Sequence, residues 1–131
     1  MVTFPYLRKG PQAFPVADVT FEVARHPLTV KALVDSGASF SVFRAEILEY
    51  LGIPLARGAR VYLEGIGGRI LGYRHRVPAR VGGTRFLFTV IFSQELTVSF
   101  NLLGRENFFQ QFLVTFDERR RIVRLHPAHH R

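Results

Sequence analysis

Asp35, Ser36 and Gly37 stand directly after the apolar run Ala32-Leu33-Val34 and directly before Ala38-Ser39. A carboxylate carried by a strand into an apolar interior must be paired, neutralised or catalytic, because the bare ion is costly to desolvate. Burial of that kind is how enzymes tune a carboxylate for proton transfer. A second candidate stretch is Gly65-Ile66-Gly67-Gly68, glycine-rich around one apolar residue. It lacks the third glycine in register and runs into a strand-like segment, whereas a dinucleotide fingerprint needs a helix there. His126 and His130 are spaced i, i+4 like a metal pair, but Pro127 opposes the helix that would align them, so no metal site is expected.

The elements that must position these residues are mainly strands. Val19 to Val23 alternates apolar and polar residues as a half-buried strand does, Arg25-His26-Pro27 reads as a turn, and Leu28 to Val34 reads as a second strand ending at Asp35. Arg44 to Leu51 has Ile47, Leu48 and Leu51 at helical spacing, with Gly52 and Pro54 behind, and is expected to be a short helix. Val61 to Leu63 and Ile70 to Tyr73 flank the glycine-rich tip as a hairpin. Arg76 to Val81 and Thr84 to Phe92 flank Gly82-Gly83, a strong tight-turn signal. The apolar run Phe100 to Leu103 stops at Gly104, a helix is expected at Arg105 to Phe112, and Leu113 to Phe116 with Ile122 to Leu125 read as a closing hairpin. The fold class is therefore mostly β with one or two short helices, a closed or strongly curled sheet.

At 131 residues the chain has the length of one domain. Residues 1–15 read as an irregular N-terminal arm, 16–125 as the single domain, and 126–131 as a basic, His-rich tail. The absence of cysteine excludes a disulfide framework and thiolate metal ligation. Met1 to Pro15 carries Arg8, Lys9 and three prolines without a continuous apolar stretch, so neither a signal peptide nor a membrane span is expected and a cytoplasmic protein is the default. The net charge of +8 is almost wholly arginine. Arg119-Arg120-Arg121 with Arg124 and the tail are read as a solvated turn and chain end, with a nucleic-acid footprint as the alternative.

Three features in order, Ala32 to Ala38, Glu64 to Tyr73 and Asn101-Leu102-Leu103-Gly104-Arg105, resemble the catalytic loop, flap and supporting strand of the retropepsin-like aspartic proteases, over about Val19 to Asp117. The resemblance implies an acid-protease β-barrel with a flap hairpin, and an aspartic endopeptidase that cuts extended peptides at apolar or aromatic positions. Such chemistry needs two carboxylates sharing one proton, one to activate water and one to protonate the scissile carbonyl. Asp18 and Asp117 have no comparable setting, so the resemblance implies a homodimer in which Asp35 meets its own counterpart across a two-fold axis.

In that picture Ser36 bonds across the two-fold and Gly37 allows close backbone approach. Ala38, Ser39, Gly65, Ile66, Gly67 and Gly68 contact substrate, with the Ile66 N–H acting through water and the flap strands adding to the peptide by β-pairing. No cofactor and no metal is implied. Ser39 replaces the acid that usually pairs with the arginine matching Arg105, which leaves Glu46 or Glu106 as its expected partner. Viral dimers close with a terminal strand, where this chain has a hairpin. The alternatives are a catalytically silent peptide-binding or dimerisation module of the same fold, and a basic nucleic-acid-binding β-barrel.

Overall fold

The computed structural model describes residues 1–23, 25, 27–65 and 68–128. Twelve strands run in chain order: β1 (Val2–Pro5), β2 (Leu7–Lys9), β3 (Gln12–Phe14), β4 (Val16–Phe21), β5 (Leu28–Val34), β6 (Val42–Arg44), β7 (Ala59–Gly65), β8 (Gly68–Val81), β9 (Thr84–Ser93), β10 (Asn101–Leu103), β11 (Phe112–Asp117) and β12 (Ile122–Pro127). The helices are α1 (Glu46–Leu51) and the single turn α2 (Phe108–Gln111), with a 3₁₀ turn at Leu55–Arg57. Six strands in the order β4-β5-β10-β6-β9-β8 close into a barrel through pairing of β4 with β8, and β7 extends the sheet beyond β8. The mostly-β barrel expected from the sequence is thus the observed architecture.

Closure follows from which residues face inward. Phe21 on β4, Phe43 on β6, and Phe88 and Phe92 on β9 come from three barrel strands and are fully buried. The Phe43 ring meets Phe21 at 5.6 Å and Phe88 at 5.7 Å between centroids, both edge to face, the arrangement that the ring quadrupoles favour. The core continues through Phe86, Phe108 and Phe112 to the foot of the closing hairpin. No described helix is long and apolar enough to cross a membrane.

Several boundaries differ from expectation. Arg44 belongs to β6 and not to α1, because Val42–Arg44 pairs in parallel with Ile91–Ser93 while Leu102 pairs with Val42 on the other side. Residues 105–107 are turns, which leaves α2 one turn long. The two strands read on either side of Tyr73 are one continuous β8. Residues 1–15, expected to be irregular, form β1, β2 and β3. β1 pairs with β12, which pairs with β11, in a separate three-stranded sheet, and β2 pairs with β3. Of the Arg25-His26-Pro27 turn, His26 lies outside the described residues, as do His130 and the end of the tail.

The terminal sheet is pinned at its corner. Tyr6 N–H donates to Arg121 O at 2.9 Å and the buried Tyr6 hydroxyl to Glu118 Oε2 at 2.6 Å. Asp117 organises the charged turn, accepting from Arg120 N–H at 3.0 Å and facing the Arg120 and Arg124 guanidinium groups at 3.2 and 3.7 Å. The Arg120 N–H, above all, holds the Asp117 carboxyl below its usual range. Burial, then the bond to Glu118, pushes the Tyr6 phenol up from 10.0 to about 12. The folded state therefore keeps a proton that the unfolded chain releases. The stabilisation is intact below about pH 10 and is lost as pH rises toward the folded value. Urea midpoints measured across this range are expected to fall more steeply for the wild type than for Tyr6→Phe; equal slopes would contradict the assignment.

Candidate functional site

Asp35 is the first residue beyond β5, and the parallel pairing of β5 with β10 continues into it: Asp35 N–H donates to Leu103 O at 3.0 Å. The chain then turns sharply. Ala38 N–H donates to Asp35 O at 3.1 Å, and Gly37 N–H donates to the side-chain Oδ1 of Asp35 at 2.9 Å. This is an Asx-type turn, in which the carboxylate organises its own loop. One oxygen is thereby fixed, and the other has no hydrogen-bond partner among the described residues.

The loop is stitched to the segment after β10. Arg105 N–H donates to Ala38 O and Glu106 N–H to Ser39 O, both at 2.9 Å. Gly104 N–H donates to the buried Ser41 Oγ at 3.0 Å. Gly104 lies so close beneath the loop that a Cβ there would overlap the backbone C and O of Phe40 and stand 2.9 Å from Ala38 O. Close backbone approach explains the glycine. Asp35, Ser36, Gly37, Ala38 and Ser39 therefore form one rigid loop on a floor made by residues 103–106.

That loop is not inside an apolar interior, as the sequence alone suggested. Val34 is buried, but Asp35 is half-buried and Ser36, Gly37 and Ser39 are exposed. The strand runs through the core and its end emerges at the barrel surface, so the carboxylate lies at the surface and not in the core.

Gly65 and Gly68 belong to another unit, the β7–β8 hairpin, where they pair with each other at its end. Ile66 and Gly67, between them, lie outside the described residues. The root of the hairpin is tied to the barrel. Leu71 N–H donates to Glu95 Oε1 at 2.9 Å, and Ser93 Oγ donates to Leu71 O at 2.7 Å. Arg74, also on β8, reaches Glu106 at 3.5 Å and lies over the Phe40 ring at 5.7 Å, which joins the hairpin root to both halves of the loop cradle.

Arg105 is exposed and has no ion-pair partner among the described residues; Glu106, one of its two expected partners, is engaged by Arg74. Neither Ser41 nor Arg74 was singled out by sequence reasoning. Ser41 had a signal, a lone hydroxyl between Phe40 and Val42-Phe43, since a hydroxyl in such a run needs a buried partner. Arg74 had none, because its partners lie more than thirty residues away on either side.

Among the described residues no three side chains converge as a metal site requires. Asp18 is paired with Lys31 at 2.8 Å, and Asp117 is held in the terminal turn. The loop thus offers one surface carboxylate with one uncommitted oxygen, able to accept or return a proton to water, and no second aspartate stands beside it among the described residues. A sequence model of the family described as aspartyl protease matches residues 19–106, from within β4 to the last residue of the loop cradle. No curated protein matches the chain.

Proposed function

The chain belongs to an aspartyl protease family of the retropepsin-like clan, and from that premise we propose that it is an aspartic endopeptidase active as a homodimer. The observation that carries this reading is Asp35 itself, fixed through one oxygen at the mouth of the β5–β10 pair and presented outward with no second aspartate beside it among the described residues. A two-fold axis through that loop brings each Asp35 against its counterpart. Two carboxylates at such a distance share one proton. The ionised member takes a proton from the attacking water while the protonated member gives one to the scissile carbonyl oxygen, and the pair titrates as a unit.

Ser36, exposed beside the carboxylate, bonds across the axis and keeps the two loops coplanar. Ala38 and Ser39 floor the cleft, and the hairpin tip from Gly65 through Ile66 and Gly67 to Gly68 closes over an extended peptide as a flap.

Subunit mixing tests this reading. Wild-type protein at fixed concentration is incubated with about a tenfold excess of Asp35→Asn protein, and cleavage of a peptide mixture is followed by mass spectrometry. If the dyad spans two chains, random exchange leaves few wild-type pairs and activity falls roughly tenfold. Activity unchanged by the excess, with exchange verified by a tagged subunit, would mean that each chain acts alone or not through this loop.

A further inference from the structure

Beside the Asp35 loop lies an open recess of about 540 Å³ lined by Ser36, Ser39, Arg105, Glu106, Phe109 and Gln110. Its polar atoms are mostly donors. The Oε1 of Gln110 already accepts from Asn107 N–H at 2.8 Å, which leaves its amide NH₂ to donate. The Ser36 and Ser39 hydroxyls make no hydrogen bond among the described residues, and Arg105 makes no ion pair. The one carboxylate in the wall, Glu106, is neutralised by Arg74 at 3.5 Å. The half-buried Phe109 ring adds an apolar side.

We propose that this recess is a specificity subsite in which Arg105 receives an aspartate or glutamate side chain of the bound peptide. The inference rests on the protease reading above. The Arg105 N–H bond to Ala38 O fixes its backbone at the edge of the loop that carries Asp35, so an acid bound there belongs to a residue flanking the scissile bond. A guanidinium matches a carboxylate with two parallel hydrogen bonds, and the Ser39 hydroxyl can complete its coordination.

Apart from Asp35 in its own loop, the carboxylates that a second copy has free to place there are the exposed Glu46, Glu49 and Glu64, which make no ion pair among the described residues. Asp18, Glu22, Asp117 and Glu106 are in ion pairs, Glu118 is held by Tyr6, and Glu95 by the Leu71 N–H. With a net charge of +8, the long-range field also favours an acidic peptide.

The test profiles cleavage of a diverse synthetic peptide mixture by wild type, Arg105→Gln and Arg105→Glu. In parallel, the Asp35→Asn protein, with and without Arg105→Glu, is used to capture peptides from the same mixture. Wild-type cleavage is expected to favour Asp or Glu at one flanking position, with the acidic-over-neutral ratio falling about tenfold in Arg105→Gln and reversing toward Lys or Arg in Arg105→Glu. A wild-type profile indifferent to charge at every flanking position overturns the subsite and leaves the protease standing. Absence of cleavage, with acidic peptides still captured through Arg105, overturns the protease and keeps the subsite. If Arg105→Gln is monomeric where the wild type is dimeric, Arg105 serves the partner copy and the proposal falls.

Discussion

On the proposed homodimeric protease reading, replacing Asp35 by asparagine is expected to lower kcat/KM for peptide cleavage by at least about 10³-fold, with no loss of fold. The two halves of this expectation come from different atoms of one side chain. Asparagine keeps the Oδ1 that accepts from Gly37 N–H at 2.9 Å, so the loop retains its internal hydrogen bond. The site is half-exposed, so no buried charge is stranded or removed. What disappears is the ability to hold or release a proton, and in the proposed homodimer it disappears from both positions at once. General acid and general base catalysis are each worth roughly 10²–10⁴-fold, which sets the floor. Cleavage is to be measured over roughly pH 4 to 7, with circular dichroism and sedimentation confirming an intact protein. Equal rates in the two proteins would remove Asp35 from the mechanism and leave a peptide-binding module of the same fold.

Gly104→Ala is expected to destabilise the protein by about 3 kcal/mol, the upper part of the range for overpacking, and to impair activity with it. The added methyl would overlap backbone atoms of Phe40, and backbone cannot rotate aside as a side chain can. Relief requires lifting residues 38–41 off the floor. That strains the Ser41 Oγ bond to Gly104 N–H and the Arg105 and Glu106 amide bonds to Ala38 and Ser39. Gly83→Ala is the control, because nothing lies within 4 Å of a Cβ there and its φ is not in the left-handed region. It should stay within about 0.5 kcal/mol of wild type. Urea denaturation of the two variants settles the comparison; equal stabilities would mean that the loop does not rest on Gly104.

The sequence was most readable where local pattern and local pairing coincide. β5 ends at Val34, directly before Asp35, as the apolar run implied, and Gly82-Gly83 joins β8 to β9, with Gly82 in the left-handed region at φ 58° that the turn requires. The closing hairpin of β11 and β12 was legible for the same reason. Long-range pairing was not. β1 finds its partner in β12, Val2 opposite Leu125, and nothing within residues 1–15 announces a strand whose mate is so distant. β6 is three residues long and owes its conformation to β9 and β10. At the site, the segments of the cradle were recognisable, but the environment of Asp35 was misjudged because an apolar strand says where its own residues lie and not where its end emerges. The pairing of Arg74 with Glu106 is a tertiary fact with no sequence signal.

The sheet that joins Val2–Pro5 to Ile122–Pro127 also sets an order of events during synthesis. Every barrel strand lies between Val16 and Leu103, and the cradle beneath Asp35 is complete at Glu106. Synthesis that has reached Glu106 has made all the strands of the barrel, while β1 still waits for a mate not yet made. Non-local pairing of this span is entropically slow to form. β12 is therefore the last strand to be made, and until it arrives β1 is an open strand edge at the beginning of the chain. Premature release upstream of Ile122 would yield a barrel with β1 permanently unpaired, the kind of exposed edge that recruits other chains.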